Sequence, residues 1–354
     1  MKVLFVYKFL TTGGVEVVLQ ARLDGLHGSV IDGSVWFLEQ LDGWAIFRGS
    51  ERDPYFGDLS QLEAHLRENK YDAISVIDTP EVFPLLKRLE GSTTIIVEAH
   101  SPYLENLEYL RSLNGLEIAS IVVPSRFQAS LVRKRLKRKI PVLFLPNPLR
   151  RSFTSDPLGF KPTPTQPILA WIGRLDSLKN WRFAIKIASN LKKFNPNIEL
   201  WMAGRLVESA TSDELYQAAK RRGVLDILRW FENFPHDRMH RWLDAVRDSG
   251  GVMLSTSNGE SFGMTVAEAM ARECAVVVPD IGPFREFITD NRTGIFYKPK
   301  SLKNAASKVQ LLLQDGDRRE KIGSAARLSI LKKHSSNVAL DVMANSFEKV
   351  VGHY

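Results

Sequence analysis

Cysteine is nearly absent from this sequence. The chain holds one, Cys274, in 354 residues, which excludes an intramolecular disulfide framework and a cysteine-based zinc site. Long apolar runs are absent too. No stretch approaches the ~18–20 residues that span a bilayer. The first run, residues 3–7, stops at Lys8 and is too short for the core of a signal peptide. We therefore expect a soluble, cytoplasmic protein. Residues 1–150 also lack an excess of either charge, with 18 Lys/Arg and 18 Asp/Glu. Residues 151–354 hold 30 and 22, so the whole net charge of +8 lies in the second half. A basic half suits an anionic ligand, whether nucleic acid, a phosphorylated metabolite or a lipid surface. With 44% apolar and 25% charged residues, the composition excludes a mainly disordered or fibrous chain.

Short apolar runs alternate with amphipathic stretches. Strands are expected near residues 3–7, 34–38, 73–77, 94–97, 120–123 and 142–145. Helices are expected near 14–23, 59–69, 80–89, 104–113 and 126–136. Continuous apolar strands separated by helices argue for a parallel sheet covered on both faces. Residues 146–167 break the pattern with six prolines, at 146, 148, 157, 162, 164 and 167, the composition of a linker. The alternation then restarts, with strands near 168–172, 198–202, 227–231, 251–255, 275–279 and 294–297. Helices lie between them near 181–194, 213–222, 237–247 and 264–271, and everything after about residue 301 reads helical. The expected fold is α/β with two Rossmann-like, doubly wound domains. Their bounds are 1–150, a hinge at 151–167, 168–330, and a C-terminal segment 331–354.

Open α/β sheets bind ligands at the carboxyl ends of their strands, so the strand-to-helix loops carry the candidates. The first is Thr11-Thr12-Gly13-Gly14-Val15-Glu16, where Gly13 and Gly14 let backbone approach a phosphate at a helix N-terminus. A tight glycine turn explains the same residues. The second is Gly173-Arg174 with Lys179, a planar fork and a point charge suited to a pyrophosphate. The third runs from Ser257-Asn258-Gly259-Glu260 through Ser261-Phe262-Gly263-Met264-Thr265 to Glu268. It places one carboxylate in the loop and another about two turns into the helix, on either side of amides that suit a diphosphate.

Taken in order, Gly13-Gly14, Pro146-Asn147, Gly173-Arg174…Lys179, Glu260-x7-Glu268 and Glu268-Ala269-Met270-Ala271 resemble a retaining glycosyltransferase of the GT-B fold and GT4 type. The resemblance covers nearly the whole chain. It implies two domains facing across a cleft, with C-terminal helices crossing back to the first domain. It implies a sugar moved from a nucleoside diphosphate donor to a hydroxyl, with UDP-sugars the commonest donors and GDP- and ADP-sugars open. Arg174 and Lys179 would neutralise the pyrophosphate, helped by amides near Gly14 and at Phe262–Thr265. Glu268 would accept from the ribose hydroxyls and Glu260 from the transferred sugar. The base would lie against Asn233 and Phe234, and His100 would serve as the active-site histidine. No metal or permanently bound cofactor is implied, because the nucleotide-sugar is a co-substrate. The acceptor stays open among glycans, lipid-linked glycans and small molecules. Ser261 stands where the family usually has glycine, and Asn180 follows Lys179 in place of the common glycine. Gly282-Pro283 replaces a frequent Gly-Gly.

Other signals read as structural. Asp315-Gly316-Asp317 has the look of a metal motif but sits between helical patterns, where Gly would end one helix and Asp cap the next. His236 and His240 form an i,i+4 pair without the glutamate of a zinc-protease motif, and a surface pair is expected. Cys274 is expected to be buried. Arg133-Lys134-Arg135-Leu136-Lys137-Arg138-Lys139 places six cations in seven residues at the expected end of a helix. It reads as a solvated face, or as a contact with an anionic acceptor or an anionic membrane at the inner face. No nucleic-acid module appears. Two rival functions remain at this stage: a nucleotide-sugar epimerase of the same fold, and a family member that binds nucleotide-sugar without turnover.

Overall fold

The computed structural model describes residues 1–26, 30–88, 93–113, 115–157, 165–207 and 211–352. The chain packs as two units, residues 1–151 with 333–354, and residues 152–332.

The first unit is built on seven parallel strands: β1 (Lys2–Leu10), β2 (Asp32–Gln40), β3 (Tyr55–Phe56), β4 (Ala73–Ile77), β5 (Thr94–Glu98), β6 (Ser120–Val123) and β7 (Val142–Phe144). They lie in the order β3-β2-β1-β4-β5-β6-β7. The central strands β4 and β6 are buried along their whole length, which is why they read as unbroken apolar runs. Around the sheet run α1 (Gly14–Gly25), α2 (Leu59–Glu68), α3 (Phe83–Arg88) and α4 (Arg126–Arg133). The second unit begins within the short α5 (Arg151–Thr154). It carries six parallel strands: β8 (Ile168–Ile172), β9 (Glu199–Gly204), β10 (Leu228–Glu232), β11 (Val252–Leu254), β12 (Val276–Pro279) and β13 (Ile295–Tyr297). Their order is β10-β9-β8-β11-β12-β13. Helices α6 (Trp181–Lys192), α7 (Ser212–Arg221), α8 (Met239–Asp248), α9 (Met264–Ala271) and α10 (Leu302–Gln314) connect or cover them.

Helix α11 (Gly316–His334) leads out of the second unit, and α12 (Ser336–Val351) belongs to the first. Its buried residues Ser336, Ala339, Leu340, Met343 and Phe347 form one helical stripe. Leu340 closes on Gly25, where an added Cβ would lie 2.1 Å from its Cδ1. Phe347 meets Phe5 of β1 at 6.2 Å between ring centroids.

Several local expectations need correction. The segment expected as an α-helix at 104–113 is a 3-10 helix, Glu105–Ser112. Leu104, Leu107, Leu110 and Leu113 recur every three residues, the 3-10 period, and the last three are buried. Residues 80–88 split into a 3-10 turn, Pro80–Val82, and α3; Leu89 lies outside the described residues. Helix α4 stops at Arg133 instead of reaching 136, so most of the basic run follows the helix. Continuing the helix would set Arg133 against Lys137 and Lys134 against Arg138 at i,i+4, which is unfavourable for like charges. Within the Pro-rich segment, 151–154 is helical, and 158–164, with Pro162 and Pro164, lies outside the described residues. At 315–317 it is Asp315 whose carboxylate accepts from the Arg318 amide, 3.0 Å, while Gly316 is the first residue of α11.

Candidate active site

In the second unit β8 stands between β9 and β11, so successive connections leave it in opposite directions. That is a topological switch point, where open α/β sheets place their ligand crevice. The two loops beside it are sewn together. Asn258 donates its backbone N–H to Leu178 O at 2.7 Å and its side-chain amide to Ser177 O at 2.7 Å. Thr256 Oγ1 donates to Lys179 O at 2.8 Å and accepts from Trp171 Nε1 at 2.9 Å. Asp176 caps the turn by accepting from Lys179 N at 2.7 Å, and Asn180 takes a left-handed conformation, φ 53°, as the chain enters α6.

On this frame Lys179 of one loop pairs with Glu260 of the other. Lys179 Nζ is 2.5 Å from Glu260 Oε1, which also accepts from Ser257 Oγ at 2.7 Å. Glu260 is buried. Arg174 reaches Asp176 Oδ2 at 2.8 Å and stays about one-third exposed. Beyond Glu260 the loop turns at Gly263, φ 109°, where a Cβ would lie 2.5 Å from the Phe284 ring. This tight turn aims the positive end of the α9 dipole back toward the loop. Phe262 is buried against Phe287, while Ser261, Met264 and Thr265 are partly exposed at the start of α9.

Gly204 closes the other side. At φ 158° its missing Cβ would fall 1.8 Å from Gly173 O, so the ends of β8 and β9 touch backbone to backbone. Gly204 O accepts from Asn233 N at 2.7 Å. Asn233 is exposed and left-handed, φ 50°, and Phe234 packs into an aromatic group with Phe231 and Trp242.

One residue of this neighbourhood was missed by sequence reasoning. His236 Nε2 lies 2.9 Å from Oε1 of the buried Glu268. The expectation of a helical surface pair with His240 is thereby corrected. His236 sits in a 3-10 turn before α8, and both rings pack on Phe153, at 5.2 and 6.2 Å. No local pattern announces a pair 32 residues apart. Among the described residues no group of three or more His, Cys, Asp or Glu could hold a metal ion. Cys274 is buried, and that burial pushes its thiol up to about 12.

The first unit has a polar cluster of its own. Glu98, at the end of β5, is fully buried and receives both arms of Arg22 at 2.7 and 2.9 Å, Ser75 Oγ at 2.7 Å and His100 Nε2 at 2.8 Å. A carboxylate only accepts, so His100 carries its proton on Nε2. Burial pushes the Glu98 carboxyl up, but the Arg22 charge and the His100 hydrogen bond outweigh it and hold it well below the usual range. Asp78, left-handed at φ 41° after β4, accepts from His100 N at 2.9 Å and Tyr109 Oη at 3.1 Å. Burial raises it to about 6. At α1, the buried Glu16 carboxylate accepts from Thr11 N at 3.0 Å and would meet a Cβ on Gly13 at 2.7 Å. A phosphate beside Gly13 and Gly14 would meet that negative group.

Residues 159–329 match the family model described as glycosyl transferases group 1. A D-inositol 3-phosphate glycosyltransferase of Corynebacterium aurimucosum is 26% identical over 45% of this chain and 38% of its own length. The alpha-D-kanosaminyltransferase of Streptomyces kanamyceticus is 23% identical over 52% and 46%. The chain thus spans less than half the length of these curated relatives. Among solved structures, Anabaena HepE in complex with UDP and glucose aligns over 99% of this chain and 100% of its own, with a TM-score of 0.82 at 16% identity. Sucrose-phosphate synthase from Thermosynechococcus elongatus aligns over all of both chains, with a TM-score of 0.82 at 13% identity. Over residues 159–329 the chain is thus similar to the glycosyl transferases group 1, and it has the GT-B fold.

Proposed function

We propose that this protein transfers a sugar, with retention, from a nucleoside diphosphate donor to a hydroxyl of a carbohydrate, lipid-linked or small-molecule acceptor, UDP-sugars being the leading donors. The observation that carries the reading is the Lys179–Glu260 pair at the β8/β11 switch point, with Arg174 on the adjoining loop. Breaking an anomeric C–O bond leaves an oxocarbenium-like centre and a departing diphosphate, and fixed cations and helix amides lower that barrier. An arriving diphosphate would compete for Lys179 and Arg174, each now held by a carboxylate. Released by Lys179, Glu260 would turn its oxygens to the hydroxyls of the transferred sugar. Glu268 would hold the ribose, the loop at Asn233 and Phe234 the base, and His100 of the first unit would act on the donor sugar. The departing phosphate itself would deprotonate the acceptor, so no separate protein base is needed. The reading requires no metal and no resident cofactor.

Calorimetric titration with UDP, GDP, ADP and dTDP tests this. One of them is expected to bind, and Arg174→Ala to weaken it about 10- to 100-fold, the scale of charge-assisted hydrogen bonds. Wild-type affinity in the variant removes Arg174 from the site, and silence with all four ligands overturns the donor reading.

We also propose that the basic run meets an anionic membrane. No helix among the described residues is long and apolar enough to cross one, but Arg133, Lys134, Lys137, Arg138 and Lys139 all reach solvent. Each well-placed cation contributes about 1 kcal/mol at such a surface. Replacing Lys134, Lys137 and Lys139 by Gln should reduce flotation with phosphatidylserine vesicles; equal flotation refutes the contact.

A further inference from the structure

His236 belongs to no motif, yet the fold shields it closely against Glu268. The two side chains are about 12% and 4% exposed. Because the carboxylate only accepts, Nε2 is the protonated nitrogen. A second rung joins the same two segments deeper in the unit. Arg272, one turn beyond Glu268 at the end of α9, donates to both oxygens of Asp244 on α8 at 2.8 and 2.6 Å. The same guanidinium donates to Ser152 O at 3.3 Å and Ser155 O at 2.9 Å. These carbonyls flank Phe153, whose buried ring packs on His236. The spacing between α8, α9 and α5 is therefore set by a buried ion pair, and the imidazole meets Glu268 at a fixed approach.

We propose that His236 is a positioning residue through which Glu268 selects ribose over deoxyribose in the bound nucleoside diphosphate. This rests on the reading of Glu268 as the ribose acceptor. A vicinal diol is best gripped by a carboxylate presented in one orientation. With Oε1 tied to the imidazole, the carboxylate cannot swing, and the second oxygen meets the diol without loss of rotamer freedom on binding. An untethered glutamate would lose that freedom only for the ligand carrying both hydroxyls. The consequence is a change in discrimination and not only in affinity.

The test is calorimetric titration of the full chain with UDP, GDP and ADP, each beside its 2′-deoxy form. The wild type is expected to prefer the ribose form by about tenfold, the scale of one charge-assisted hydrogen bond. His236→Ala should reduce that preference to about two- to threefold by weakening mainly the ribose ligand. His236→Gln, whose amide can donate to the same oxygen, should restore most of it. Equal weakening of both ligands, or an unchanged preference in His236→Ala, overturns the positioning role. A wild type without preference, or a Glu268→Ala variant that keeps it, overturns the reading of Glu268 and the inference with it.

Discussion

Glu260→Ala is expected to lower turnover about 100- to 1,000-fold, the cost of removing one group aimed at a transition state. Affinity for the nucleoside diphosphate alone should hold or rise. On the proposed reading the carboxylate would compete with a phosphate for Lys179, to which it is joined at 2.5 Å, so its loss would free the cation for the ligand. Ser257 loses its acceptor as well, but both loops remain tied through Asn258 and Thr256. Steady-state kinetics beside calorimetry separates the two effects. Unchanged kcat would remove Glu260 from the site. A parallel collapse of nucleotide binding would make it a structural clamp instead.

Glu98→Ala is expected to destabilise the first unit by about 3–5 kcal/mol, because it leaves the Arg22 guanidinium buried and uncompensated. Arg22 is about 1% exposed and Glu98 is fully buried. Thermal unfolding followed by circular dichroism should show a midpoint lower by on the order of 10 °C; a wild-type midpoint would refute the account. The pH dependence has two opposite parts. The depressed pKa of Glu98 means that its contribution is present above the unfolded carboxyl value and is lost as pH falls well below it. Asp78 behaves in the reverse sense. Its carboxyl rises from 3.8 to about 6, so its contribution is present below its unfolded value and is lost as pH rises through about 6. Asp78→Asn should therefore flatten the decline in stability between about pH 4 and about pH 6.

Legibility along the chain follows the range of the physics involved. The Gly173-Arg174…Lys179 loop and the run from Glu260 to Glu268 can be read because strand, turn and helix start are local patterns within a few residues. The 3-10 segment escapes such a reading although its leucines carry the period of three, since an apolar residue every three positions also fits part of a helical stripe. The end of α4 escapes it because the apolar spacing continues past the point where crowded cations oppose the helix.

The partners of the charged groups are not legible at all. Lys179 meets Glu260 across 81 residues, Arg22 meets Glu98 across 76, and His236 meets Glu268 across 32. In each case the packing of strands and helices brings distant segments side by side, which no local window contains. The sequence by itself determined every strand but the two-residue β3, most of the helices and the loops proposed to carry the chemistry, because periodicity, glycine turns and helix starts act between near neighbours. Only the tertiary structure decided which carboxylate answers which cation and which histidine holds Glu268, because hydrogen bonds form between atoms a few ångströms apart in space, whatever their separation along the chain.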